Sequence, residues 1–234
     1  MIDIKVIASG SKGNCTAATS GTVTILLDAG IAFDKIQRAL DFKNPTACFV
    51  THEHGDHANK ATIAELLKRG TDIYMTAGTA TALNLEPSHR LHLIESKKLY
   101  ELDDTIPIRF YATPAIHDAA EPVSFHFNWQ FKKMSYIVDT GYLPPFDTVK
   151  DYLLIEANHS TADLLNADID DSQKQRILQN HLSLEKVVRY IEGNNQGNLT
   201  EVHLIHISRR HGNKEQFQQT IQAVVGDKVK VLAH

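Results

Sequence analysis

The stretch Thr51-His52-Glu53-His54-Gly55-Asp56-His57 is the most informative part of this 234-residue sequence. It places three histidines and two carboxylates within seven residues, directly after an apolar run, residues 47–50, that predicts a short buried strand. Imidazole and carboxylate groups are ligands that zinc and manganese accept. His52, His54 and Asp56 alternate along the chain with His57 beside them, so one short loop can direct ligands at two neighbouring cations. The stretch therefore predicts a metal site rather than a solvated turn that happens to contain histidines.

The composition is that of a globular protein, with 42% hydrophobic and 22% charged residues. The formal net charge is −4, which does not favour sequence-independent binding of duplex nucleic acid through lysine and arginine. It does not exclude an enzyme whose metal ions supply the positive charge. The thirteen histidines are the compositional outlier, and we expect several of them to be functional.

Features of export or membrane insertion are not expected from this sequence. It contains no run of eighteen apolar residues that would span a membrane, and its first seven residues alternate like a strand rather than a signal peptide. Cys15 and Cys48 form neither a CxxC motif nor a disulfide framework, so we expect two buried thiols in a reducing compartment. The predicted location is cytoplasmic.

Strand and helix patterns alternate along the whole chain without a linker or a tandem repeat. Strands are predicted at residues 2–7, 22–28, 48–50, 73–75, 99–102, 106–112, 123–129, 134–138, 201–207 and 228–232. Helices are predicted at residues 33–40, 60–69, 79–85, 184–191 and 214–225, with a mostly helical pattern over 163–181. The mixture favours an α/β protein in which helices cover sheets, and a single domain spanning residues 1–234.

Three later positions, each at a predicted strand end, are candidates to complete a two-metal site. They are His117, Asp139 and His206. Each alone has an ordinary explanation, because a strand-end aspartate is most often a turn former and a histidine in an apolar strand is more often a hydrogen-bonded core residue. Ligands at strand ends are, however, the ones that a scaffold holds most rigidly.

Together these motifs, in this order, resemble the metallo-β-lactamase superfamily. The resemblance implies a four-layer αββα sandwich, with two facing mixed β-sheets and helices outside. It also implies two divalent metal ions, zinc or manganese. The implied ligands are His52, His54 and His117 for one ion, Asp56, His57 and His206 for the other, and Asp139 as a bridge. Asp28 is implied to support a ligand histidine from behind.

Secondary motifs resemble the YycJ/WalJ-like branch of this superfamily. They are the Gly10–Asn14 loop, the segments 117–123 and 154–159, and Asn180-His181-Leu182-Ser183. The resemblance implies a 5′→3′ exodeoxyribonuclease that attacks DNA, single-stranded or at 5′ ends, with a hydroxide bridging two metal ions. The alternative is a small-molecule, cyclic phosphodiesterase of the PhnP type. No membrane and no obligate protein partner are implied.

Further residues are predicted to act in this chemistry. Asp56 would orient the attacking hydroxide, and His181 and His159 are the candidates to protonate the leaving group, with Glu156 as a supporting carboxylate. Lys12, Asn14 and Arg209 are candidates to hold flanking phosphates, although a solvated face is an equally good explanation of the arginine.

Overall fold

A computed structural model of the chain describes residues 1–103, 105–144, 150–194 and 197–234. In these residues the strands form two mixed sheets, one of six strands in the order β1-β2-β3-β4-β5-β6 and one of seven in the order β13-β12-β11-β10-β9-β8-β7. The packing divides the chain into two compact units. Unit 1 comprises Met1–Lys98, Ala112–Pro114 and Ala119–Val123, and unit 2 comprises Leu99–Tyr111, Ala115–Asp118 and Ser124–His234. The assignment of residues 1–234 to one domain stays a prediction.

The six-stranded sheet forms the scaffold of unit 1. Its strands are β1 (Asp3–Ala8), β2 (Cys15–Ser20), β3 (Val23–Leu27), β4 (Ala47–Phe49), β5 (Asp72–Thr76) and β6 (Leu91–Ile94), with helices α1 (Phe33–Ala39), α2 (Lys60–Lys68) and α3 (Ala77–Ala82). β1 to β3 are antiparallel, and β3 to β6 run parallel. One apolar cluster joins sheet and helices, with Ile36 of α1 and Ile63 and Leu66 of α2 fully buried in it.

The seven-stranded sheet forms the scaffold of unit 2. Its strands are β7 (Tyr100–Asp103), β8 (Ile106–Pro114), β9 (Val123–Trp129), β10 (Lys132–Ile137), β11 (Tyr152–Glu156), β12 (Glu201–Ile205) and β13 (Lys230–Ala233). The helices are α4 (Thr161–Leu165), α5 (Asp171–Asn180), α6 (Leu184–Asn194) and α7 (Lys214–Val225). β10 to β13 are parallel, and β9 is antiparallel to β10.

Helices α6 and α7 form one layer of unit 2 because each has a single apolar face. Val187 and Ile191 of α6 and Phe217 and Ile221 of α7 are buried in the same cluster as the inner side chains of β11 and β12. Spacings of four residues place each pair on one side of its helix. α7 begins at the residue predicted from sequence because the Asn213 side chain accepts a hydrogen bond from the N–H of Gln216.

Two strands of unit 1 are absent from the sequence prediction. β2 reads Cys-Thr-Ala-Ala-Thr-Ser and has no aliphatic alternation, although it pairs with β1 and β3 and is buried along nearly all its length. β6, at residues 91–94, was also not predicted. The helix predicted at 79–85 instead spans Ala77–Ala82, because Thr76 caps it by accepting from the N–H of Thr79. No helix in the described part of the chain is both long and apolar enough to cross a membrane.

Candidate functional site

The histidine loop of unit 1 follows β4 and is held by the chain that leaves β3. The N–H of Asp28 donates to the carbonyl of Phe49 at 2.8 Å, and the N–H of Ala29 donates to the carbonyl of His57 at 2.8 Å. The N–H of Asn14 donates to the carbonyl of Asp56 at 2.7 Å. Backbone hydrogen bonds therefore fix both ends of the loop, so its side chains start from a defined position.

Gly30 allows this close approach of two backbone segments. A Cβ atom built on Gly30 would lie 1.7 Å from the carbonyl oxygen of Asp56 and 2.7 Å from the nitrogen of His57. No side chain fits at such distances, so the position requires glycine for steric reasons alone. The loop and the β3 exit can pack only with this residue between them.

The predicted ligands of the loop lie side by side within unit 1. Nε2 of His52 is 3.1 Å from Nδ1 of His54, the rings of His52 and His57 are 4.3 Å apart, and Nε2 of His57 is 3.6 Å from Oδ2 of Asp56. His52 and His57 are buried, whereas Asp56 is partly exposed. Nitrogen and oxygen donors of the kind that zinc and manganese bind are thus gathered on one loop.

Asp28 orients His57 from behind. The aspartate is fully buried, and its Oδ2 accepts from Nδ1 of His57 at 2.7 Å. Its Oδ1 accepts from the N–H of Thr51 at 2.8 Å and from the hydroxyl of Thr51 at 3.0 Å. Because Nδ1 donates to the carboxylate, Nε2 keeps its lone pair, and this is the tautomer of imidazole that binds a metal ion.

Asn14 lies beneath the loop and is only 2% exposed. Its Oδ1 accepts from the N–H of Gly10 at 2.8 Å, and its Nδ2 lies 3.2 Å from the carbonyl of Asp56 and 2.9 Å from Nε2 of His57. The amide is therefore occupied with holding the histidine loop, while Lys12 in the same turn is exposed. A contact of Asn14 with a substrate phosphate stays a prediction.

In unit 2 three site residues emerge at one edge of the sheet. β10, β11 and β12 are neighbouring parallel strands, with Ile137 paired to Ile155 and Glu156 paired to Ile205. Parallel strands end at the same edge of a sheet, where α/β proteins bind ligands. Asp139 and His206 follow β10 and β12, and Glu156 ends β11.

The two predicted strand-end ligands and Asp28 share an uncommon backbone conformation. Their φ angles are 60° for Asp28, 46° for Asp139 and 52° for His206. This left-handed region is uncommon for residues other than glycine and is often found at functional sites.

Glu156 joins the polar side chains of unit 2 into a cluster. Its Oε1 lies 2.7 Å from Nδ1 of His181 and 2.9 Å from Nδ1 of His206. Nδ1 of His206 is also 2.9 Å from Oδ1 of Asp139, and Nδ1 of His181 is 3.4 Å from that oxygen. One potential ligand atom from each of these four residues lies within 4.8 Å of the others.

The carboxylates and imidazoles of this cluster shift one another's pKa values. Burial alone would raise the pKa of Glu156, but the charge and hydrogen bond of His181 and the hydrogen bond of His206 lower it below its ordinary value. Burial would lower the pKa of His181, but the carboxylates of Glu156 and Asp139 outweigh it and raise that pKa to about 10. In the absence of a metal ion, His181 is therefore protonated at neutral pH.

His117 adds a further imidazole to the cluster of unit 2. Its Nε2 lies 3.6 Å from Oδ2 of Asp139, and its Nδ1 lies 3.3 Å from the carbonyl of Asn180, to which it can donate. Burial lowers the pKa of His117 below its ordinary value, although Asp139 acts in the opposite direction. The residue is thus held as a neutral imidazole with Nε2 directed at the carboxylate of Asp139.

His159 and Arg209 are placed very differently. His159 has no exposed surface, and neither ring nitrogen has a hydrogen-bond partner among the described residues. Burial lowers its pKa to about 4. Arg209 is exposed on the turn that follows β12.

Glu53 has a structural contact that sequence reasoning missed. Its Oε1 accepts from the N–H of Ala120 at 2.7 Å, and its Oε2 is buried without a hydrogen-bond partner in the described part of the chain. Glu53 thereby fastens the segment Ala119–Val123, which follows His117 in sequence, to the histidine loop of unit 1. Glu53 lies between two predicted ligand histidines, and this position gives no sequence signal for the contact.

The comparison with known proteins agrees with this picture. Residues 23–207 match the family model described as the beta-lactamase superfamily domain. The exodeoxyribonuclease WalJ of Streptococcus pneumoniae serotype 2 (strain D39 / NCTC 7466) is 30% identical over 239 residues, covering 92% of this chain and 85% of WalJ. This match confirms the predicted resemblance to the YycJ/WalJ-like branch.

Solved structures show the same fold at lower identity. The metallo-beta-lactamase fold protein YhfI of Bacillus subtilis has a TM-score of 0.74 at 17% identity, covering 100% of this chain and 95% of YhfI. A diphosphatase from the PhnP family has a TM-score of 0.69 at 15% identity, and the match covers 99% of this chain and 94% of the diphosphatase chain. The predicted fold class is confirmed, because this chain has two mixed sheets with helices and is similar to solved structures of the metallo-β-lactamase fold. The chain belongs to the beta-lactamase superfamily, and it is a hydrolase of the metallo-β-lactamase fold.

Proposed function

We propose that this chain is a two-metal phosphodiester hydrolase, and more specifically a 5′→3′ exodeoxyribonuclease. Its similarity to a protein named exodeoxyribonuclease over 92% of the chain supports DNA as the substrate. The donor sets of the two units, imidazole nitrogens and carboxylate oxygens, fit divalent cations such as zinc or manganese. We expect single strands or 5′ ends as the preferred DNA.

The proposed ligands are the seven residues suggested by sequence. His52, His54 and His117 would bind one ion, Asp56, His57 and His206 the other, and Asp139 both. Two such ions would lower the pKa of a water molecule towards neutrality and neutralise charge on the phosphate. Asp28 would then hold His57 in the binding tautomer, with its 2.7 Å hydrogen bond to Nδ1.

The single observation on which the phosphodiesterase proposal depends is the contact between His181 and Glu156. Since Nδ1 of His181 donates to a buried carboxylate at 2.7 Å, the proton available for transfer is the one on Nε2. The His181 side chain is 20% exposed, so a substrate can reach it. We assign His181 as the group that protonates the departing alkoxide.

His159 is the weaker of the two predicted proton donors. A group with no exposed surface and a pKa of about 4 is neutral at pH 7 and cannot reach a substrate oxygen. We instead assign His159 to the support of α6, whose first residue, Leu184, donates its N–H to the His159 carbonyl at 2.8 Å.

A degradation assay tests the proposed function. The purified protein, loaded with zinc or manganese, is given a 5′-phosphorylated DNA oligonucleotide and, separately, bis(p-nitrophenyl) phosphate. We expect mononucleotides to be released from the 5′ end, at a rate that falls with rising salt. Turnover of the small diester without any degradation of DNA would refute the exonuclease activity but would still support phosphodiester hydrolysis.

Metal content tests the ligand assignment independently of activity. We expect about two ions per chain by elemental analysis, and fewer in His54→Ala and Asp139→Ala. His89→Ala, which removes an exposed histidine outside the predicted set, is the matched control. Full metal content and full activity in Asp139→Ala would overturn the assignment of Asp139 as a bridging ligand.

A small cyclic phosphodiester is the second candidate substrate. The net charge of −4 favours it, because long nucleic acids are repelled by an acidic surface. Comparing a cyclic nucleotide with the oligonucleotide in the same assay separates the two substrates.

A further inference from the structure

A pocket of about 330 Å³ lies in unit 2 beside the segment that follows Asp139. Tyr142 and Leu143 line one side of it, and Lys186, Arg189 and Tyr190 of α6 line the other. This volume is at the lower end of the range for ligand pockets, which is about 300 to 1,000 Å³. The pocket therefore has room for one small group and is too small for a long segment.

Lys186 in the wall of the pocket contacts the segments that carry two site residues, Asp139 and His181. Nζ of Lys186 donates to the carbonyl of Gly141 at 2.8 Å and to the carbonyl of Leu178 at 3.2 Å. Gly141 lies two residues after Asp139, so their Cα atoms are at most about 7.6 Å apart. Leu178 lies three residues before His181. If the scissile bond of a polymeric substrate lies beside Asp139 and His181, the adjoining monomer of that substrate would therefore lie near this pocket.

The pocket is basic although the whole protein is acidic. Lys186, Arg189 and Tyr190 share one face of α6 because they are three and four residues apart. The described residues that line the pocket include no carboxylate. Burial lowers the pKa of Lys186. The carboxylate of Glu156, which is not part of the pocket lining, acts in the opposite direction, and the charge of Arg189 acts in the same direction as burial. Two cations held this close together favour an anion between them.

Aromatic surface accompanies the cations. The Tyr142 side chain is 56% exposed. Tyr190 is only 5% exposed. Nζ of Lys150 donates to the Tyr190 hydroxyl at 2.7 Å and lies 5.1 Å from the centroid of its ring. Tyr190 is thus a fixed wall, whereas Tyr142 offers a ring that a ligand can cover. Exposed aromatic rings beside cations are the combination by which proteins hold single-stranded nucleic acid.

We propose that this pocket binds the nucleotide adjoining the scissile phosphodiester of a single-stranded DNA chain. Arg189 pairs with its phosphate and Tyr142 stacks on its base. The assignment rests on the proposed function and deepens it, since a small cyclic diester has no adjoining nucleotide to occupy the pocket. Tyr142 and Arg189 are then specificity residues that separate polymeric from small substrates.

The test is equilibrium binding to the metal-loaded protein. A 3′-labelled, 5′-phosphorylated oligothymidine with phosphorothioate linkages, which slow hydrolysis, is titrated by fluorescence anisotropy at several salt concentrations. We expect Tyr142→Ala and Arg189→Ala each to weaken binding about tenfold or more, and Arg189→Ala to reduce the slope of log K against log salt by about 0.7. Arg38→Ala, an exposed arginine of α1, is the matched control and should bind as the wild type does.

Kinetics supply a second readout. In both variants the kcat/KM for a phosphodiester-linked oligonucleotide should fall at least tenfold more than that for bis(p-nitrophenyl) phosphate, which has no adjoining nucleotide.

The outcomes separate this proposal from the proposed function. Wild-type protein that binds the oligonucleotide without degrading it, with variants that bind weakly, would refute the exonuclease and support the pocket. Variants that bind like the wild type would overturn the pocket whatever the protein hydrolyses, and so would failure of the wild type to bind. Weaker binding in Arg189→Ala alone, matched by weaker competition from inorganic phosphate, would indicate a simple anion site and also overturn it.

Discussion

Nδ1 of His181 lies 2.7 Å from Oε1 of Glu156, a carboxylate with no exposed surface. A buried carboxylate fixes both the ring orientation and the tautomer of the histidine, so the opposite nitrogen is the one that can exchange a proton.

Replacing His181 should impair chemistry without removing metal. We expect His181→Ala to lower kcat by about a hundredfold or more, since proton transfer to the leaving group contributes about 10² to 10⁴ in rate. A p-nitrophenyl leaving group needs little protonation, so its hydrolysis should fall much less than that of DNA. Equal losses on both substrates, or loss of bound metal, would contradict the role of His181 as a proton donor.

Replacing Asp28 should weaken metal binding. In Asp28→Asn the carboxylate that accepts from Nδ1 of His57 and from Thr51 becomes an amide, which can no longer fix the tautomer as strongly. Loss of such a supporting group typically costs about 10- to 100-fold in metal affinity. Competition with a chelator measures the affinity, and Asp34→Asn, on an exposed aspartate of α1, is the control. An affinity equal to that of the wild type would show that Asp28 acts only on the fold.

Replacing Glu53 should loosen the segment Ala119–Val123. The N–H of Ala120 donates to Glu53, so Glu53→Ala removes the acceptor of this amide and should speed its hydrogen exchange. The N–H of Val123, which donates to the carbonyl of Thr51 at 3.1 Å, should change less. Glu86→Ala, at an exposed site, is the control. Unchanged exchange at Ala120 would show that the Glu53 contact does not hold the segment.

The pair formed by His203 and His234 should make stability depend on pH. Nδ1 of His203 lies 3.0 Å from Nε2 of His234, and Nε2 of His203 lies 3.1 Å from Oε2 of Glu201. Burial, with the charge of His203 acting in the same direction, lowers the pKa of His234 to about 4, against an ordinary value of 6.5. Between pH 6.5 and about 4 the unfolded chain therefore binds a proton that the folded chain does not.

The stability contributed by neutral His234 is fully present above pH 6.5 and is lost as the pH falls towards 4. The difference in urea midpoint between wild type and His234→Asn should therefore shrink over this range, though modestly, because the His234 ring is partly exposed. A difference that stays constant from pH 7.5 to 4.5 would exclude this linkage.

Much of the fold and of the candidate site could be predicted because the decisive residues lie at strand ends. An apolar run followed by a polar residue locates Asp139 and His206, and the density of histidines and carboxylates in residues 51–57 reveals the loop. The buried positions of Cys15 and Cys48 were also expected from composition, and both are confirmed as buried and free.

The rest depends on contacts between residues far apart in sequence. Nδ2 of Asn14 lies 2.9 Å from Nε2 of His57, 43 positions away, and no local pattern encodes that contact. A contact of Asn14 with a substrate phosphate stays a prediction. Glu53 and Lys186 were missed for the same reason, since each contacts the backbone of another element. β2 was missed because strand pairing, not its own sequence, makes it a strand.

Two glycines will be informative in any systematic mutagenesis of this protein. Alanine at Gly30 would place a methyl group 1.7 Å from the Asp56 carbonyl, and alanine at Gly141 would place one 1.6 Å from the carbonyl of Gln179. A mutational scan scored by activity would rank both among the least tolerant positions, although neither contributes an atom to the reaction. Intolerance at these sites would reflect the close approach of two backbone segments, and only a separate measurement of metal content or of folding would distinguish these glycines from the proposed metal ligands nearby.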